Sequence, residues 1–200
     1  MSKQVGQGFD PQAQDRMPMP ELASLTADQR RVAEDLIAGP RKGIKGPFIP
    51  LLRSPNLLER LGKVGESLRF EGVLSKRISE FTMLVVARHV GNQFEWFTHH
   101  PLAIGEGVSS AALEQLRQGA RPDCLQADEA LAYDLALEVL GRHGLSDGSY
   151  AKATAAWGER GVVEFTALIG YFLTVCLVMN VARTPVTTES ASEPLSAFPQ

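Results

Sequence analysis

The sequence predicts an all-α fold, a bundle of about seven to eight helices. Three observations carry that expectation. Apolar residues recur at intervals of three and four through most of the chain. Capping residues and Gly/Pro stops divide those runs into helical lengths. Strand signals are scarce, because no alternating apolar run is joined to another by a hairpin turn. The 200 residues suit one domain with tails, and that length buries a substantial core without staples.

Residues 1–22 hold Gly, Gln, Pro and Asp with little apolar content and read as a flexible N-terminal arm. Residues 184–200 read as a C-terminal tail of the same kind, and residues 23–183 as a single helical domain. Thr26-Ala27-Asp28-Gln29 is a capping box, with the threonine hydroxyl and Gln29 satisfying each other's backbone. Val32, Ala33, Leu36 and Ile37 then form one face, and Gly39-Pro40 ends the first helix. The Pro/Gly-rich connector GPRKGIKGPFIPLLRSP carries Phe48, Ile49, Leu51 and Leu52, which make it a packed loop with one short turn. Asn56 is placed to cap a second helix to about Phe70, with Leu57, Leu58, Leu61, Val64 and Leu68 on one face.

Ser75 opens a third helix, to about Val90, whose second half is apolar nearly all round: Phe81, Met83, Leu84, Val85, Val86 and Ala87. Such a helix is central. A fourth runs from about Gln93 to Ile104 and stops at Gly105-Glu106-Gly107. Ser109 caps a short fifth, and residues 127–143 make a sixth. Asp147 or Ser149 caps a seventh to about Trp157, and Gly158 and Gly161 separate it from the last, about 162–182. Glu164, Thr166, Gly170, Tyr171 and Asn180 interrupt that apolar run, so a buried core helix fits better than a membrane span. Tyr171 and Asn180 each need a polar partner there.

Charge and cysteine usage bound the function class. The net charge of -3 and the scattered basic residues do not suggest a nucleic-acid binder. The densest basic piece, Arg41-Lys42-Gly43-Ile44-Lys45, reads as a solvated loop in preference to an anion site. No secretory signal precedes the helices. Cys124 and Cys176 form no CxxC pair and no zinc spacing. Cys176 reads as a buried, inert thiol and Cys124 as a loop thiol without an activating base. The expectation is a cytoplasmic protein with reduced thiols and no membrane contact.

The candidate chemistry lies between residues 80 and 100. Glu80 sits early in the most apolar helix, where desolvation raises a carboxyl pKa toward the range of a general acid or base. It can equally pair with Arg77 or Lys76 at the helix start. Glu95 and His99 share a helix face at i, i+4, while Trp96 and His100 share the next, about 100° round. A glutamate beside a histidine orients the imidazole and raises its basicity. Adjacent histidines diverge and do not readily share one ion, so no metal is expected. His89 and His143 read as structural.

A helix with an early Glu, a Gly-Asn turn, then a helix carrying Glu95-Trp96-x-x-His99-His100 resembles the carboxymuconolactone decarboxylase family. That family shares its fold with the alkylhydroperoxidase D-like proteins, whose motif is E-x(11)-C-x-x-C-x-x-x-H. Laid on this chain, the motif puts its Glu on Glu80, its two thiols on Asn92 and Glu95, and its histidine on His99 or His100. The surrounding residues favour His100. The likeness covers roughly residues 45–183, and its specific part is Glu80 to Gly105. Without cysteines at Asn92 and Glu95, the CxxC disulfide cycle of a thiol peroxidase cannot run.

The resemblance therefore implies a lyase of the decarboxylase branch, of the kind used in aromatic compound degradation. It would act on a small carboxylated lactone or related cyclic substrate by His/Glu acid–base chemistry. The implied catalytic set is Glu80, Glu95, His99 and His100, with Asn92 and Trp96 binding substrate. No cofactor is implied, and the family suggests homo-oligomers, trimers or hexamers. Two alternatives stay open: a non-catalytic oligomer of the same fold that binds a small ligand, and a metal-dependent enzyme using His99 or His100 with Glu80 and Glu95.

Overall fold

A computed structural model describes residues 4–5, 14–39, 42–187 and 193–196. Its order is β1 (Gln4–Val5), α1 (Ala27–Ala38), α2 (Phe48–Leu51), α3 (Pro55–Phe70), α4 (Lys76–His89), α5 (Gln93–Gly105), α6 (Ser110–Arg117), α7 (Ala127–Arg142), α8 (Asp147–Ala182) and β2 (Val186–Thr187). The all-α expectation holds. The strand content among the described residues is one antiparallel pairing, Gln4 with Thr187 and Val5 with Val186.

Local chemistry sets most helix ends. The Thr26 capping box forms as expected, with Gln29 N donating to the threonine oxygen and Thr26 N to Gln29 Oε1. Ser75 caps α4 by accepting from Ile78 N. Ser54, not Asn56, stands at the start of α3, with Pro55 at its first helical position. Ser146, rather than Asp147 or Ser149, caps α8. The break expected at Gly158 is present: that residue takes φ 67° inside α8, which only glycine adopts readily.

The centre of the fold is α4. Phe81, Leu84, Val86 and Ala87 are fully buried, and α5, α7 and α8 pack around them. A second apolar cluster joins α1, α2 and the start of α3 through Leu25, Val32, Leu36, Phe48, Leu52 and Leu58. Helix α8 is long and apolar enough to cross a membrane. One face of it nevertheless lies in the core through Phe165, Leu168, Ile169, Phe172 and Cys176, while Val163, Leu177 and Val181 are exposed.

The described parts of both termini contact the helical domain. Residues 1–3 and 6–13 of the expected arm lie outside the described residues. Further along, Arg16 N donates to Ala182 O, and Arg53 Nη2 donates to Pro18 O at 2.7 Å. Residues 193–196 dock on α4, α5 and α6. Gln93 exchanges two hydrogen bonds with the Leu195 backbone, Trp96 Nε1 donates to Glu193 O, and Arg117 donates to Pro194 O. Arg88 donates to Ser196 O. Leu195 is buried beneath these contacts. A chain ending at Thr187 is expected to lose about 2 kcal/mol of stability, from Leu195 burial and several net hydrogen bonds. Urea denaturation monitored by Trp fluorescence reads this; an unchanged midpoint would mean the tail does not dock.

Candidate active site

Glu80 is released to the site by what its neighbours do. Arg77, a sequence candidate for its partner, turns to α7 instead. Its Nη1 meets Glu129 Oε1 at 2.7 Å and its Nη2 meets Asp128 Oδ2 at 2.5 Å. Glu80 Oε2 then lies 2.5 Å from His99 Nδ1. On the other side of the ring, Glu95 Oε2 lies 3.1 Å from His99 Nε2. Glu95 precedes His99 by one turn of α5, so helix geometry makes that contact and helix packing makes the first.

Both carboxylates thus bracket one imidazole that is only 2% exposed. Burial pulls the His99 pKa down, but hydrogen bonds to Glu80 and Glu95 and their charges outweigh it, and the net direction is up. An imidazolium donates from both nitrogens, which suits two carboxylate acceptors. The His99 and Phe172 rings meet edge to face, with centroids 5.2 Å apart.

His99 and Glu95 line a cavity of about 520 Å³. Its other walls come from the 43–48 loop (Lys45, Phe48), the end of α3 (Arg69, Phe70), α5 (Phe94, Thr98) and α8 (Tyr171, Phe172, Val175). Two glycines permit this shape. Gly46, at φ 55°, lets the loop lie on Phe94, where a Cβ would stand 2.3 Å from the ring. Gly65 accommodates the Tyr171 hydroxyl, which a Cβ would meet at 2.3 Å. Glu80 stands behind His99, with Arg69 Nη2 3.8 Å from its other oxygen.

The structure corrects three sequence expectations. The sequence favours His100 over His99, yet His100 turns away from Glu80 and lies half-buried against Trp96, ring centroids 5.4 Å apart. Burial pulls its pKa down, opposed by the charge of Glu114. Asn92, expected to bind substrate, is off the cavity wall because its side chain is already spent. Its Oδ1 accepts from Glu95 N, and its Nδ2 donates to Cys176 O and Asn180 Oδ1. Trp96, the other expected binder, is fully buried and holds the tail. Asn180 finds its partners in Asn92 and Val90 O, and Tyr171 lines the cavity. Lys45, read from the sequence as part of a solvated basic loop, lines the cavity, as do Arg69 and Phe70, which carried no site signal.

Among the described residues no group of three His, Cys, Asp or Glu side chains is arranged to hold a metal ion. Both ring nitrogens of His99 are already engaged by carboxylates. Cys176 is fully buried on α8; burial pushes its thiol well above the ordinary value, and the charge of Glu95 acts in the same direction. Cys124 is exposed.

Fold and site together define an all-α protein of the alkylhydroperoxidase D-like fold, with a carboxylate-bracketed histidine at the wall of a cavity. No protein-family model matches the chain, and no curated protein does. Solved structures do. One is the alkylhydroperoxidase AhpD core of an uncharacterized peroxidase-related protein from Ralstonia eutropha JMP134, with TM-score 0.66 and 17% identity over 83% of this chain and 88% of that one. Another is an uncharacterized peroxidase-related protein from Silicibacter sp. TM1040, with TM-score 0.67 and 16% identity over 90% of this chain and 94% of that one. Identities this low carry the fold and not the chemistry.

Proposed function

We propose that the chain is a proton-transfer enzyme of the carboxymuconolactone decarboxylase kind, acting on a small carboxylated lactone or related cyclic substrate. The observation that supports it is His99, buried and held at both ring nitrogens by carboxylates, one of which lines a cavity. In a decarboxylation the bond to the departing carboxylate breaks, carbon dioxide leaves, and the electron pair stays on the ring carbon. That carbon takes up one proton. Glu95 faces the cavity and relays to that carbon the proton it takes from His99, whose imidazolium form Glu80 favours from behind. A proton from water then restores the set.

The two structural neighbours are peroxidase-related proteins by name. In this chain the paired-thiol positions hold Asn92 and Glu95, and the thiol beside Glu95 is kept protonated by burial. Acid–base chemistry fits these residues better.

The test is carbon dioxide release from γ-carboxymuconolactone by wild type and by Glu95→Gln. Turnover that falls by about 10²- to 10⁴-fold in the folded variant supports the reading. No release by wild type removes it and leaves a ligand-binding protein of the same fold.

A further inference from the structure

We infer that Arg69, helped by Lys45 at the mouth, anchors one carboxylate of a small ring compound, and that this is the carboxylate the product keeps. The inference rests on the proposed site and names what that site holds.

Three observations carry it. Arg69 lines the cavity, and its Nε is buried without a hydrogen-bond partner. Its Nη2 stops 3.8 Å short of Glu80 Oε1, too far for a hydrogen bond, so the guanidinium keeps donors unspent. A guanidinium presents a planar fork that matches a carboxylate at two oxygens.

The second observation is the charge around the cavity. Lys45, Arg69 and the His99 imidazolium face Glu95 and, behind it, Glu80. Three positive charges against two negative ones leave a surplus of one, which one carboxylate neutralises.

The third is the wall material. Phe48, Phe70, Phe94 and Phe172 supply aromatic surface beside these charges. Aromatic walls with a single cationic fork suit a flat ring bearing a carboxylate. Arg69 itself is braced, its guanidinium carbon 5.2 Å from the centroid of Phe70.

A carboxylate paired with Arg69 is stabilised as an anion and so is held back from becoming neutral carbon dioxide. A second carboxylate on the same substrate would lie beside Glu95 with no surplus cation to hold it. The site therefore discriminates between the two, keeping the first and releasing the second.

The experiment is calorimetric binding of benzoate and of benzamide, its uncharged counterpart, to the full chain. Wild type, Arg69→Gln, Arg69→Lys and Lys45→Ala are compared, with folding of each checked by circular dichroism. Benzoate should bind wild type at least about tenfold more tightly than benzamide. Arg69→Gln should abolish that preference, Arg69→Lys should restore part of it, and Lys45→Ala, at an exposed position, should weaken benzoate about threefold. Equal affinity for the two probes, no benzoate binding by wild type, or full benzoate affinity in Arg69→Gln would each overturn the anchor. Binding needs no turnover, so an inactive lyase assay with a benzoate preference that depends on Arg69 would defeat the proposed reaction and keep the anchor. Turnover without that preference would do the reverse.

Discussion

His99→Gln is expected to lower turnover by about three orders of magnitude, and His100→Gln to leave it within about twofold. Glutamine can reach one of the two carboxylates with its amide but cannot carry a proton between them. The pair Glu80 and Glu95 is then left without the cation that both now contact. His100 touches neither carboxylate and packs on Trp96, so its loss removes a ring contact and no proton path. Steady-state rates of the two variants, with matching circular dichroism, decide it. Equal loss in both would point to damage of α5 rather than to chemistry.

The pH dependence has a definite sign. The His99 pKa is raised in the folded protein, so its imidazolium contributes stability that is fully present below the unfolded value near 6.5. That contribution is lost as pH rises through the raised folded value. Turnover that uses the imidazolium as proton source falls over the same interval, and His99→Gln flattens that limb of the profile.

Much of the fold was legible because its causes are local. The Thr26 capping box, the Ser75 cap and the left-handed break at Gly158 each depend on residues within one turn. The apolar run from Phe81 to Ala87 announced the central helix for the same reason. The site was legible only in part. Glu95 and His99 share a face by helix geometry, but the choice between His99 and His100 turns on one residue, which rotates a side chain by about 100°. The motif's own spacing of three residues after Glu95 lands on His99, whereas the neighbouring residues favoured His100. Whether Glu80 pairs with Arg77 depended on α7, since Asp128 and Glu129 capture that arginine. Arg69 and Tyr171 come from α3 and α8, and no periodicity brings them together. Only packing does, with Gly65 leaving room for the Tyr171 hydroxyl. The tail at 193–196 read as a polar extension because its anchors are side chains of distant helices meeting its backbone.

The second large effect is expected at Asn92, where the resemblance places a thiol and the structure places a three-way tie. Asn92 is fully buried and closes the start of α5 by accepting from Glu95 N at 2.9 Å. Its amide also reaches α8, at Cys176 O (3.1 Å) and Asn180 Oδ1 (2.9 Å). Asn92→Ala removes the cap and both amide donations that tie α5 to α8. Those losses together cost about 2–4 kcal/mol, roughly 5–12 °C in Tm for a chain of this size. Asn92→Asp separates the two roles. Aspartate caps a helix as well as asparagine does, so a pure capping role would make it neutral. Here it removes both amide donations and sets a carboxylate oxygen against Cys176 O and Asn180 Oδ1. Asn180 cannot turn its amide to compensate without giving up its own bond to Val90 O at 2.8 Å. Asn92→Asp is therefore expected to be at least as destabilising as Asn92→Ala. Thermal unfolding of the two variants side by side measures this, and an aspartate variant as stable as wild type would reduce Asn92 to a helix cap. The tie also sets the position of Glu95 against His99, because the residue that caps α5 holds the backbone of Glu95 itself. A loss of activity in Asn92→Ala below its melting range would follow from that link.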